Sequence, residues 1–148
     1  MGEHQQVGAP GFTLLELLVT LAVLAVALAV VGPSIGRTTE TIRARAEVAR
    51  FSALLRHTRE QAITGRRPHA LVVDPAAHRV NIVVDEEVRE SRPLPEHLGI
   101  EAEPPGSLTV RFEPQGTSNG GIFRVTSGGL DYRVTVDPLT GRVRIERQ

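Results

Sequence analysis

Hydropathy divides the chain into an apolar run, an amphipathic stretch and a region of alternating residues. Phe12 to Val31 is apolar on every side of a helix, with Glu16 as its only charge. At ~1.5 Å per residue such a 20-residue helix is about 30 Å long, enough to span the hydrocarbon core of a bilayer. Gly32-Pro33-Ser34 follows, and its missing backbone donor and loosened turn predict a kink or a break. Ala44, Val48, Phe51, Leu55, Thr58 and Ala62 then recur at steps of three and four, predicting a helix that ends near Gly65 with one apolar stripe and arginines opposite.

From Ala70 the period becomes two. The runs 70–73 and 79–84 read as a hairpin, and 88–92 as a third short strand. Pro93 to Gly106 holds four prolines and reads as a loop around an extended stretch at 98–102. The runs 108–112, 121–126, 130–136 and 142–146 follow. They are separated by Ser118-Asn119-Gly120-Gly121, Ser127-Gly128-Gly129 and Asp137-Pro138-Leu139-Thr140-Gly141, whose residues favour turns. The expected architecture is α+β: a long N-terminal helix packed on an antiparallel, two-layer β head.

Glu16 changes the meaning of the apolar run. An acid within the bilayer core costs about 2.5 to 3.5 kcal/mol on insertion scales, so its presence points to a function and a cationic partner. The preceding residues, Met1 to Gly11, are polar, and the small residue suited to cleavage, Gly11, stands before the apolar stretch. A secretory signal has the opposite order. A cut after Gly11 keeps the helix and creates an α-amino group on Phe12, about one turn from Glu16. Pairing of that amine with Glu16 is possible within one chain. Between two packed copies it also sets their axial offset.

Gly11-Phe12-Thr13-Leu14-Leu15-Glu16 resembles the class III leader junction of type IV pilins and type II secretion pseudopilins. The resemblance implies a membrane peptidase that cuts after Gly11 and N-methylates Phe12, and a Glu16 that pairs with a neighbour's N-terminus during assembly. It also implies a single-pass protein of the bacterial inner membrane with its head in the periplasm. Leaders of this kind usually carry Lys or Arg, whereas residues 1–11 have neither and the first Arg is Arg37.

Two further segments, Arg111 to Gly121 and Val134 to Val143, resemble the closing strands and turns of the type II secretion pseudopilin H group and its pilus relative FimT. This implies a minor pseudopilin at or near the tip of a periplasmic pseudopilus. Its partners would be other major and minor pseudopilins, the prepilin peptidase/N-methyltransferase and the inner-membrane secretion platform. The expected organisation is leader 1–11, transmembrane and assembly helix 12–31, stem helix 32–66 and head 67–148. Contacts with other subunits are expected at strand edges and at Pro93 to Gly106.

Composition adds limits. The chain has no Cys, so it has neither a disulfide nor a thiolate site. Zero net charge conceals an asymmetry. Residues 37–67 carry eight Arg against Glu40, Glu47 and Glu60, while 68–148 carry nine Arg against twelve acids. His4, His57, His69, His78 and His97 show no ligand spacing, and no nucleophile elbow or phosphate loop is present. The expectation is no metal, no cofactor and no enzymatic activity.

One motif supports a rival reading. Arg142 and Arg144 alternate onto one face of the last strand, with Arg147 nearby, where they can grip phosphates. In FimT-like proteins a similar Gly-Arg-x-Arg tail is associated with DNA uptake. The head is net acidic, and with only Tyr132 and three Phe from residue 37 onward it lacks stacking platforms, which argues against nucleic acid as the partner.

Overall fold

The computed structural model describes residues 11–148, with the side chains of 30–38 excepted. Residues 1–10, most of the expected leader, lie outside the described residues. Helix α1 spans Leu14–Gly65. The long N-terminal helix is thus present, and of the two outcomes expected at Gly32-Pro33-Ser34, a kink or a break, the break does not occur. One missing donor interrupts one rung of a ladder that each further residue extends at little cost.

The chain separates into two compact units, residues 1–39 and residues 40–148. In the first, the side chains of Phe12 to Ala29 are all exposed. Among the described residues no helix is long and apolar enough to cross a membrane. The described side chains of the apolar run end at Ala29, so Val30 and Val31 of the expected span lie outside them.

The second unit holds the remainder of α1 and eight strands: β1 (His69–Asp74), β2 (Arg79–Val84), β3 (Glu87–Pro93), β4 (Gly99–Ala102), β5 (Thr109–Phe112), β6 (Gly121–Ser127), β7 (Leu130–Val136) and β8 (Val143–Arg147). They form two antiparallel sheets, one in the order β3-β2-β1-β5 and the other β4-β6-β7-β8. In β1, β2, β5, β6 and β7 the expected period of two appears as alternating burial, whereas β3 and β8 are exposed along almost their whole length and β4 is the extended stretch within the segment read as a loop. In β2, Val80, Ile82 and Val84 are buried, and in β7, Tyr132, Val134 and Val136 are.

The helical stripe supplies the rest of that core. Ala44, Val48, Phe51, Leu55, Thr58 and Ala62 are each at most 1% exposed, and the five apolar ones form one cluster with Leu71 and Val110 of the first sheet and Phe123 and Val134 of the second. Phe51 meets Phe123 edge-on, with ring centroids 5.8 Å apart. Such a pair contributes roughly 0.5 to 1.5 kcal/mol beyond burial. Thr58 is tolerated inside because its hydroxyl donates to Leu54 O at 2.8 Å.

Polar contacts also join helix to sheet. The two oxygens of Glu47 accept from Ser127 Oγ and contact His97 Nε2, both at 2.6 Å. The open side of β5 is capped by Asn119, whose Oδ1 accepts from Arg111 N at 2.9 Å while its Nδ2 donates to Thr109 O at 3.3 Å. Pairing of a foreign strand there is blocked.

Candidate functional site: the N-terminal junction and an arginine cleft

At the N-terminal junction, Gly11, Phe12 and Thr13 precede the helix, and Glu16 lies in its first turn. Thr13 starts the helix: its Oγ1 accepts from Glu16 N at 3.2 Å, and its carbonyl accepts from Leu17 N at 3.1 Å. Thr13-Leu14-Leu15-Glu16 thus has the Thr-x-x-Glu spacing of a capping box, and the acid also suits the positive end of the helix. Sequence reasoning overlooked this role for Thr13, although the spacing itself displays it. Phe12 is 75% exposed, and nothing approaches within 4 Å of a Cβ built on Gly11. No ion pair forms on Glu16 among the described residues, so its carboxylate is open to a partner.

The arginines at the other end of the sequence meet a different environment. Asp137 organises the turn before β8: its Oδ1 accepts from Thr140 N at 2.7 Å, Thr140 Oγ1 at 2.9 Å and Leu139 N at 3.0 Å. The bonds from Thr140, chiefly the backbone one, hold its carboxyl below the usual range, with smaller help from Leu139 and from the charge of Arg144. The same turn binds the segment after β5. Ser118 N donates to Pro138 O at 2.8 Å, and Ser118 Oγ donates to Asp137 O at 3.0 Å. Residues 113–121 and 134–143 are therefore one hydrogen-bonded unit.

That unit encloses Arg59 of the helix. Arg59 Nε donates to Gly116 O at 3.1 Å. Gly116 and Gly141 both have positive φ, and a Cβ on Gly141 would collide with Gly116 O and come within 2.8 Å of Arg59 Nε. Only glycine fits beside this guanidinium.

Around it opens a cleft of about 580 Å³ lined by Arg56, Arg59, Glu60, Gly141, Arg142, Val143 and Arg144. The fold thus brings Arg142 and Arg144 together with two helix arginines that the C-terminal motif alone did not reveal. Arg147 is not part of the lining. The available signal was the three-residue spacing of Arg56 and Arg59, which sets them one turn apart on the helix, with half-buried Arg59 flanking the buried stripe and Arg56 exposed.

Elsewhere on the second sheet, Glu103 accepts from Arg133 Nε at 3.1 Å and lies 3.5 Å from Arg124. The hydrogen bond from Arg133 is the main reason its carboxyl is held below the usual range. Near Glu47 the residue types of a Ser-His-acid relay occur together. There the hydroxyl and the imidazole each bond the carboxylate, whereas a nucleophile needs its base beside it. Among the described residues no group of His, Cys, Asp or Glu is arranged to hold a metal ion.

Comparison with known proteins adds independent findings. The family described as type II transport protein GspH matches residues 47–140, and the prokaryotic N-terminal methylation motif matches residues 9–32. Sequence comparison with curated proteins gives no match. Among solved structures, the fold resembles the type IV minor pilin FimU of Pseudomonas aeruginosa, with a TM-score of 0.60 at 14% identity over 73% of this chain and 91% of that one. It also resembles the minor pseudopilin EpsH from the type 2 secretion system of Vibrio cholerae, with a TM-score of 0.53 at 17% identity over 73% and 96%.

Proposed function

The chain belongs to the GspH family of type II transport proteins, and we propose that it serves as a minor pseudopilin at or near the tip of a type II secretion pseudopilus. The family and fold are those of structural pilin and pseudopilin subunits, not of enzymes, and the family implies assembly with other pseudopilins. In this proposal residues 12–31 hold a precursor in the inner membrane with its head in the periplasm. The prepilin peptidase removes residues 1–11 by cutting after Gly11 and methylates Phe12. The secretion platform then draws the subunit into the pseudopilus.

One observation carries the reading: a helix start with exposed apolar residues and a Glu16, four residues after Phe12, that has no ion pair among the described residues. A neighbour's α-amino group is the cation that suits it, because an ion pair shielded from water fixes register where apolar side chains alone slide. The decisive substitution is Glu16→Gln, which keeps size and removes charge. Loss of pseudopilus incorporation and of cargo export is expected, with head stability unchanged. Normal export would overturn the reading. Mass measurement of the mature N-terminus should show a chain beginning at Phe12 with one added methyl group.

The likeness to the minor pilin FimU and the arginine cleft favour one alternative, a FimT-like minor pilin of pilus biogenesis or DNA uptake. A gel shift with duplex DNA separates the two. Absence of binding at every salt concentration eliminates the DNA-handling version.

A further inference from the structure

We infer that the cleft between α1 and β8 is a docking site for an acidic peptide segment of another protein in the assembly, recognised by the guanidiniums of Arg56, Arg59, Arg142 and Arg144. The inference rests on the reading of this chain as an assembly subunit and adds the chemistry of one of its contacts.

The charges converge from two elements that are distant in sequence, and within the lining only Glu60 opposes four arginines. Arg56, Arg142 and Arg144 are exposed. None of the three forms an ion pair among the described residues. The nearby acid Asp137 offsets part of the charge of Arg144 but forms no salt bridge with the cleft arginines among the described residues, its Oδ1 being bonded to three donors of its own turn. Arg59 is held in advance by Gly116 O and by the close glycines, so the cleft offers a fixed cation at its floor and exposed ones at its rim. Planar guanidiniums match the two oxygens of a carboxylate, and fixing one beforehand reduces the ordering lost on binding.

The shape of the charge distribution decides between polyanions. A duplex needs a basic track long enough to follow its phosphates, whereas residues 68–148 carry twelve acids against nine Arg. A concavity of about 580 Å³ with Glu60 at its side accommodates a few carboxylate side chains and repels a longer continuous anion.

The test uses the full chain in nonionic detergent and a fluorescently labelled hexaglutamate peptide, followed by anisotropy at low ionic strength. Saturable binding is expected, about tenfold weaker in the Arg142→Gln/Arg144→Gln double variant. The double variant Arg45→Gln/Arg79→Gln, equal in charge but remote from the lining, should bind like the parent. Thermal melting checks folding. If the Arg142→Gln/Arg144→Gln pair lowers the melting temperature, Arg56→Gln on the exposed helix face repeats the comparison. Equal binding by parent and cleft variants overturns the inference. So does tighter binding of a duplex oligonucleotide of matched charge that the same variants abolish, since the cleft would then be a nucleic-acid site. Hexaglutamate binding is independent of export, so its failure is distinguishable from failure of the pseudopilin reading, which Glu16→Gln addresses.

Discussion

Helix α1 carries large apolar side chains in both of its units but treats them oppositely. Leu14, Leu21 and Leu28 are 83%, 59% and 65% exposed, whereas Phe51 and Leu55 are at most 1% exposed. The difference lies in their arrangement around the helix. In the second unit they form one stripe, which a folded head of the same chain can cover. In the first they occur on every side, and a single face of one domain cannot cover them. Such a helix requires apolar surroundings all round, as a lipid bilayer or a bundle of like helices provides.

The sharpest way to break the comparison is to truncate equivalent residues in each unit. Phe51→Ala should destabilise the head by about 3 to 5 kcal/mol, through lost transfer energy and a cavity against Phe123. Leu21→Ala should leave head stability within about 0.5 kcal/mol of the parent. Thermal or denaturant melts of both variants decide the point. Equal losses would mean that the first unit supports the head after all.

Gly141→Ala tests the cradle around Arg59. The new Cβ must enter at φ +61 against Gly116 O, and a loss of roughly 1 to 3 kcal/mol is expected in the same melts. The turn between β2 and β3 offers a change of the opposite sign. Asp85 and Glu86 both adopt positive φ, at 51° and 67°. Two-residue hairpin turns of this kind favour Asn-Gly, so Glu86→Gly should stabilise by about 0.5 to 1 kcal/mol.

The smallest effect concerns acid. Glu103 and Asp137 are both held below their ordinary values of 4.5 and 3.8, so the folded form binds fewer protons than the unfolded one as pH falls through this range. Their contribution is complete above those values and fades as pH drops through the lower folded ones. The melting temperature should therefore decline below about pH 4, and Asp137→Asn should make that decline shallower.

Much of the head was legible from residues 44–62 and from the alternation after residue 70, because both periods reflect one-sided burial. Gly120 and Gly128-Gly129 marked their turns correctly, since glycine is the residue that positive φ demands, whereas Gly121 opens β6. The Asp85-Glu86 turn carried no such signal. Gly32-Pro33-Ser34 signalled a kink or a break, and α1 continues across it without a break. The candidate sites divide in the same way. Gly11, Phe12 and Glu16 stand close together in sequence and could be read directly, whereas Arg142 and Arg144 were visible without Arg56 and Arg59, which lie more than eighty residues earlier.

The order of residues alone determined the apolar helix with its lone acid, the buried stripe, the strands and the family to which they belong. All of these depend on spacing over a few residues, where backbone geometry dictates which side chains share a face. Tertiary structure alone decided the strand orders of the two four-stranded sheets, and that the turn built on Asp137 surrounds Arg59. It also decided that four arginines line a common cleft. Those arrangements depend on how distant segments pack, and local periodicity contains no information about distance between elements.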